Sequence, residues 1–335
     1  MEYTRRDLGR LALAASGAAW FGRPETLVAA LQQVAKPNST INGVRVGAIT
    51  YSYRTMPDQS AEAILRYVVD SGISQIEFMG GPVEAFAGAP QAPQGGGGRR
   101  GGEPPTPEQQ AAQREAAEKL KAWRISVSMD RFKALRKMYN DAGVTIYAWK
   151  LLNPNMSDEE FDYVFNVAEA LGCTHTTLEL PTDAAQLKRI GDFAMKHKVY
   201  AAYHTHLQGS MTAFDQAFAA SKGNMANIDF GHFVAAGNVG CTPMQFLQKY
   251  HDRISSFHLK DRTSPEHCSL NLAWGTGDTP IKEILQLVSK NKWKIPGSIE
   301  LEYDIPEGSD AVKEVRNCVE FCRAALTANS SQARV

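Results

Sequence analysis

The chain has 335 residues, with 36 Lys and Arg against 36 Asp and Glu and a formal net charge of zero. That length accommodates one strand–helix barrel of about 250 residues plus extensions, without a second domain. The balanced charge excludes the basic excess or stripe of a nucleic-acid binder, and beyond the N-terminal segment no apolar run is long enough to span a bilayer.

Thr4-Arg5-Arg6-Asp7-Leu8-Gly9 resembles a twin-arginine export motif. An Ala-rich, modestly apolar stretch runs from Leu11 to Phe21, and Val28-Ala29-Ala30 and then Ala35 offer small-residue cleavage points. A retained amphipathic helix is the alternative. The order of arginine pair, apolar core and small residues favours export, so residues 1–35 read as a signal and the protein as periplasmic or secreted. Cys173, Cys241 and Cys268 are far apart, while Cys318 and Cys322 are one helical turn apart. Without a Cys-x-x-Cys these are buried thiols rather than a disulfide framework or a thiolate metal site.

Strand and helix patterns then alternate. Val44–Ile49 reads as a first strand, and 58–69 as a helix with Ala61, Ile64, Leu65 and Val68 on one face. Gln75–Met79 is a second strand, closed by Gly80-Gly81-Pro82. Residues 87–107 are rich in Gly and Pro and read as a tolerated insertion, with a lid or docking loop as the functional alternative. Helices follow at 108–123 and 128–142, then strand three at 144–149. Ser157-Asp158-Glu159-Glu160 opens a helix with a capping box and Gly172 closes it. Strand–helix pairs recur at 173–179 and 183–197, 199–204 and 211–222, 225–230 and 243–250, 254–259 and 280–289, and 298–303 and 310–325. Eight such units predict a (β/α)8 TIM barrel over 43–326. A doubly wound open sheet needs a Gly-rich phosphate turn after its first strand, and Ile49-Thr50-Tyr51 has none.

The acidic residues and histidines fall at the ends of these strands: Glu179, His204 and His206, Asp229 and His232, His258 with Lys260 and Asp261, and Glu300 with Glu302. Parallel strands in a closed barrel bring their C-terminal ends to one rim. Carboxylates and imidazoles gathered there suit a divalent metal, and buried negative charges so crowded are costly without a counter-ion.

Five of these segments, in order on successive strands, resemble the sugar phosphate isomerase/epimerase superfamily, the xylose-isomerase-like barrels. They are Glu179 ending strand four, Tyr203-His204-Thr205-His206, Asp229-Phe230-Gly231-His232, His258-Leu259-Lys260-Asp261 and Glu302-Tyr303-Asp304. The resemblance implies metal ligation by Glu179, Asp229, His258 and Glu302, with Mn²⁺, Mg²⁺ or Co²⁺ expected and Zn²⁺ less exclusively. Glu300 shares the parity of Glu302 and is the alternative on strand eight. The metal would stabilise an enediolate formed by proton abstraction next to a sugar carbonyl. Glu179 and Glu302 are then the candidate acid/base groups. His204, His206 and His232 are placed to hold hydroxyls or move protons, and Lys260 to stabilise an oxyanion or pair with a carboxylate. Glu77, Trp149 and Lys150 also end strands and line the same rim. His175, His197, His251 and His267 match no such position and read as structural.

The expectation is a metal-dependent carbohydrate isomerase or epimerase. Rivals are a lyase or hydrolase acting on 3-keto-glycosides by β-elimination, an endonuclease-IV-like phosphodiesterase, and a non-catalytic sugar-binding barrel. The expected partner is a small carbohydrate, with no nucleic acid, no membrane span in the mature chain, and a homo-oligomer left open.

Overall fold

The computed structural model describes residues 36–90 and 106–327. The signal-like segment 1–35 and most of the insertion, 91–105, lie outside the described residues. Eight parallel strands form a closed barrel: β1 Val44–Ile49, β2 Gln75–Met79, β3 Thr145–Lys150, β4 His175–Glu179, β5 Tyr200–His204, β6 Asn224–Asp229, β7 Ile254–Leu259 and β8 Gly297–Ile299. Each pairs with the next, and β8 closes the circle on β1. A short antiparallel strand, Thr40–Ile41, folds back on β1 through Asn42-Gly43. Both turn residues have positive φ, 47° and 80°, the conformation that makes Asn-Gly the favoured two-residue hairpin.

Around the barrel lie α1 Ala61–Asp70, α2 Gly80–Ala87, α3 Pro107–Ser126, α4 Asp130–Asp141, α5 Asp158–Leu171, α6 Ala184–His197, α7 Asp215–Ala220, α8 Phe230–Ala235, α9 Pro243–Tyr250, α10 Ile281–Lys290 and α11 Ala311–Thr327. Their apolar faces pack on the outside of the strands, as with Ile64, Leu65 and Val68 of α1 and Ile284, Leu285 and Val288 of α10. Among the described residues no helix is long and apolar enough to cross a membrane. All five cysteines are free, and Cys318 and Cys322 are buried on one face of α11.

Three elements depart from the sequence expectation. The Gly80-Gly81-Pro82 segment begins α2 instead of ending in a loop. Proline is tolerated there because the first-turn N–H groups have no intrahelical acceptor. Phe230–Ala235 is a helix because Asp229, the last residue of β6, accepts the His232 N–H at 2.7 Å and caps it. β8 stops at Ile299, short of the six residues expected, although the Glu300 N–H still donates to the Leu259 carbonyl at 3.0 Å.

Period-2 alternation gives the barrel a polar interior. On β4, His175, Thr177 and Glu179 share the inward face. His175 reaches Ser256 on β7 at 2.9 Å, and Thr177 reaches Glu77 on β2 at 2.6 Å. Beyond β7 the chain makes a two-stranded ladder, Asp261–Arg262 against Asn271–Leu272. Asp261 holds the following loop: Oδ2 accepts the N–H groups of Gly275, Thr276 and Gly277 at 2.8, 3.1 and 2.9 Å, and Oδ1 that of Thr279 at 3.2 Å. A side chain at Gly277 would overlap this carboxylate. Asp261→Ala is expected to cost about 2 kcal/mol or more, since four donors lose one acceptor. It should also expose 263–279 to protease nicking, and an unchanged denaturation midpoint with an intact loop would count against that role.

Candidate metal and substrate site

The site is built on a carboxylate inside the barrel. Glu77 has no solvent exposure. It accepts hydrogen bonds from Thr177 Oγ1 at 2.6 Å, Asn227 Nδ2 at 3.0 Å and His258 Nε2 at 2.8 Å. Burial alone would raise its pKa, but the His258 charge and hydrogen bond overcome that and hold it at about 2. Burial likewise works against the His258 imidazolium, and the charges of Glu77 and Glu300 carry it up to about 10. His258 Nδ1 lies 3.0 Å from Glu300 Oε2 and 4.0 Å from Asp229 Oδ2.

Lys260 is the second buried cation. Its Nζ lies 2.7 Å from Glu300, 2.7 Å from Glu302 and 3.0 Å from Asp229. Burial disfavours the ammonium, but these carboxylates push its pKa above the usual lysine range. Asp261 takes no part, being committed to the loop. Glu300 is held well below the usual carboxylate range, burial being outweighed by Lys260 and His258.

At the rim, Glu179 is half-exposed and sits 2.8 Å from Lys150 Nζ and 3.2 Å from His206 Nδ1. Its partial burial is outweighed by His206 and Lys150, which keep it ionised. The same contact raises the pKa of His206. His204 is buried and held neutral, its pKa lowered to about 3 by burial and then by the His258 and Lys150 charges. His232 is lowered to about 3 by burial and the Lys260 charge. Its Nδ1 contacts Arg262 at 2.6 Å and its Nε2 contacts Lys260 at 3.0 Å. A cleft of about 300 Å³, lined in part by Arg54, Met56, Glu302 and Tyr303, adjoins the cluster at Glu302.

Among the described residues two groups of side chains are close enough to share a metal ion: His204, Asp229, His258 and Glu300, and the trio His204, His206 and His232. The four ligands implied by the resemblance do not form one set. Asp229 and His258 come together, while Glu179 pairs with Lys150 and His206, and Glu302 with Lys260. His204 and Glu300 stand in their places. Glu300 and Glu302 both reach Lys260, as their common parity requires, and Glu300 is the deeper. In the trio, His232 has both nitrogens in contact with cations and His206 Nδ1 faces Glu179, so few lone pairs are free for a metal.

The first group has the chemistry of a divalent-cation site. Asp229 Oδ2 and His204 Nδ1 are buried and accept or donate no hydrogen bond. Lys260 is 3.0 Å from that Asp229 oxygen, but as an ion pair without hydrogen-bond direction. His258 has one nitrogen oriented by a carboxylate, Glu77, and the other turned to the group, the arrangement typical of metal-ligating histidines. Of the remaining histidines, His175 bonds Ser256, His197 pairs with Asp162, His251 stacks on Trp293 and His267 pairs with Asp278, all structural roles.

Sequence reasoning undervalued Glu77 and did not single out Arg262. A charged residue inside the buried run Gln75–Met79 was the available signal for Glu77, since an unpaired carboxylate there would be too costly to keep. Its partner His258 is far away in sequence, so only the closed barrel reveals the pair.

The Glu77–His258 pair makes metal-free stability depend on pH. Glu77, depressed to about 2, contributes stability present above its unfolded value of about 4.3 and lost as pH falls through about 2. His258, raised to about 10, contributes stability fully present below its unfolded value of about 6.5 and lost as pH rises through about 10. The metal-free protein is therefore expected to lose thermal stability steadily between about pH 6.5 and 10. Glu77→Gln should flatten that alkaline limb, and an unchanged slope in the variant would remove the pair as its cause.

Residues 103–324 match the family of xylose isomerase-like TIM barrels. No curated protein matches the chain. A sugar phosphate isomerase/epimerase from Parabacteroides distasonis ATCC 8503 superposes with a TM-score of 0.57 at 15% identity, covering 85% of this chain and 96% of that one. The probable 3-DHS dehydratase AsbF of Bacillus anthracis, involved in petrobactin synthesis, gives 0.56 at 14% identity, covering 83% and 98%. A xylose isomerase-like TIM barrel protein from Mycobacterium smegmatis, in complex with magnesium, gives 0.52 at 14% identity, covering 85% and 97%. At such identities the likeness is one of fold. The family match, spanning most of the barrel, establishes that this chain belongs to the xylose isomerase-like TIM barrel family.

Proposed function

We propose that this protein is a divalent-metal-dependent enzyme that removes a proton next to a carbonyl of a carbohydrate, as an isomerase or epimerase. The observation that carries this reading is the group His204, Asp229, His258 and Glu300, whose members come from four barrel strands or their ends and include two buried atoms without hydrogen-bond partners. Two imidazoles and two carboxylates suit Mn²⁺, Co²⁺ or Zn²⁺, and Mg²⁺ less well. The magnesium held by the mycobacterial barrel supports a metal in this family. A divalent cation bound there supplies Lewis-acid polarisation of a carbonyl or hydroxyl oxygen.

The chain's own residues supply the remainder. Glu179 on β4 and Glu302 beyond β8 rise from opposite sides of the barrel, so the two carboxylates flank a substrate lying over its mouth. Each has an attendant cation: His206 and Lys150 beside Glu179, Lys260 beside Glu302. Glu179 is the base, and His206, its pKa raised by Glu179, returns a proton to the neighbouring oxygen. For epimerisation Glu302 then delivers a proton to that carbon from the opposite face, and the oxygen gives its proton back to His206. Glu77 fixes the His258 ring.

β-Elimination from an oxidised glycoside begins with the same proton abstraction, and export would favour such extracellular substrates over phosphorylated intermediates. Product analysis separates the two. A phosphodiesterase would want several metals and a basic face, against zero net charge and, among the described residues, two ligand groups that share His204, of which the trio has few lone pairs to spare.

EDTA is expected to abolish turnover, Mn²⁺ or Co²⁺ to restore it, and Mg²⁺ to restore it less fully. Purified protein should carry one metal per chain. Glu300→Gln should weaken metal affinity by more than the roughly 10–100-fold typical of losing a supporting group. Glu302→Gln should keep its metal. Equal metal content in wild type and in both Glu300→Gln and His258→Ala would sink the ligand assignment.

Substrate deuterated next to the carbonyl should lose its label to water during turnover, with a primary isotope effect. Glu179→Gln and Glu302→Gln should each slow that loss by about a hundred- to ten-thousand-fold while substrate binding changes little. Turnover without an isotope effect, undiminished in both variants, would require a different chemistry.

A further inference from the structure

His232 lies between two cations that cannot both be hydrogen-bonded to it. Arg262 Nη1 is 2.6 Å from Nδ1, and Lys260 Nζ is 3.0 Å from Nε2. Guanidinium and ammonium groups are donors only, and a neutral imidazole has a single acceptor nitrogen. The shorter contact decides which nitrogen that is. A planar guanidinium cannot turn its hydrogens away, whereas the ammonium rotates and already donates to Glu302 at 2.7 Å. Nδ1 is therefore the acceptor, and the ring proton sits on Nε2. Two donors, Nε2–H and the Lys260 ammonium, then converge on the same side, where Glu302 Oε2 lies 2.7 Å from Lys260 Nζ and 3.8 Å from Nε2, too far to accept from the ring.

The placement of Arg262 is built in. It is 9% exposed and, among the described residues, forms no ion pair; its guanidinium contacts His232 and donates to the Ser269 carbonyl. Its backbone is held in the ladder with Asn271, and its N–H donates to Thr279 Oγ1 at 3.0 Å. Gly231 lets the first turn of α8 press against the 260–262 segment. A Cβ at Gly231 would overlap Lys260 Cγ and come within 2.7 Å of the Lys260 carbonyl oxygen. A buried arginine that spends its charge on an imidazole nitrogen instead of a carboxylate sets that ring's proton inventory.

We propose that Arg262 is a positioning residue that locks His232 as a neutral donor, its proton on Nε2, aimed at a substrate oxygen that Lys260 also binds. This rests on the carbohydrate reading of the site for its substrate, but the tautomer itself does not. A neutral imidazole donor of this kind polarises a carbonyl without giving up a full proton. The preorganised pair of donors stabilises the charge that develops on that oxygen.

Nitrogen NMR of the full-length protein with ¹⁵N-labelled histidine, with and without Mg²⁺, tests the lock. The His232 signals are assigned by their loss in His232→Gln. Wild type should show an unprotonated Nδ1 and a protonated Nε2. In Arg262→Met, Lys260 becomes the sole donor on the ring and the pattern should invert. Turnover should fall about tenfold or more with KM little changed. Arg262→Lys should keep the wild-type tautomer and recover much of the rate. Wild-type His232 with its proton on Nδ1 would overturn the proposal outright, even if the methionine variant fails to fold. So would an Nε2–H pattern that survives in Arg262→Met. An inverted tautomer with unchanged turnover would remove the catalytic consequence. Wild type without carbohydrate turnover would defeat the functional reading and leave the spectra to judge the tautomer.

Discussion

The ion pair between Glu77 and His258, sealed inside the barrel, is the interaction on which the site depends. A buried carboxylate without partners would cost several kcal/mol, about 3–5 when one member of such a pair is removed. Glu77 avoids that cost with three donors, and His258 is the charged one. The same hydrogen bond orients the ring so that its other nitrogen faces Asp229 and Glu300. Structural and chemical requirements are thus met by one contact.

Above this pair the charges balance in layers. Glu300, Asp229 and Glu302 surround the Lys260 ammonium, and Glu179 at the rim answers to Lys150 and His206. An ammonium and a metal ion are alternative ways of compensating the same carboxylates. The directional mismatch at Asp229 Oδ2 shows that Lys260 satisfies the charge there but not the lone pairs. Burial keeps His204 and His232 neutral within this field, so imidazole lone pairs and N–H donors coexist with cations a few ångströms away.

Loop architecture protects the arrangement. Asp261 does not enter the charge cluster although it follows Lys260 directly. It gathers four backbone N–H groups and fastens the 275–279 loop, which in turn supports Arg262 and its hold on His232. Asp229 similarly serves twice, capping α8 through Oδ1 while presenting Oδ2 to the cluster.

Much of this was legible in the sequence. Eight strand–helix alternations without a Gly-rich phosphate turn after the first strand implied a closed parallel barrel with its polar strand ends at one rim, and the inward parity of Glu300 and Glu302 followed from the two-residue strand repeat. The short helices at Gly80–Ala87 and Phe230–Ala235 were missed because their signals, glycines with a proline and an Asp cap on a strand's last residue, read equally well as loops. The identity of the clustered donors could not be read from spacing at all. Whether Glu302 or Glu300 meets His258, and whether Glu179 meets a metal site or Lys150, depends on strand tilt, on where β8 ends and on cross-barrel distances. Asn227 and His258 lie 150 and 181 residues from Glu77 along the chain, yet all three share one hydrogen-bonded centre. Local pattern determined which faces those residues occupy. Only closure of the barrel decided which of them touch, because contact across a barrel is set by its circumference and stagger and not by sequence neighbours.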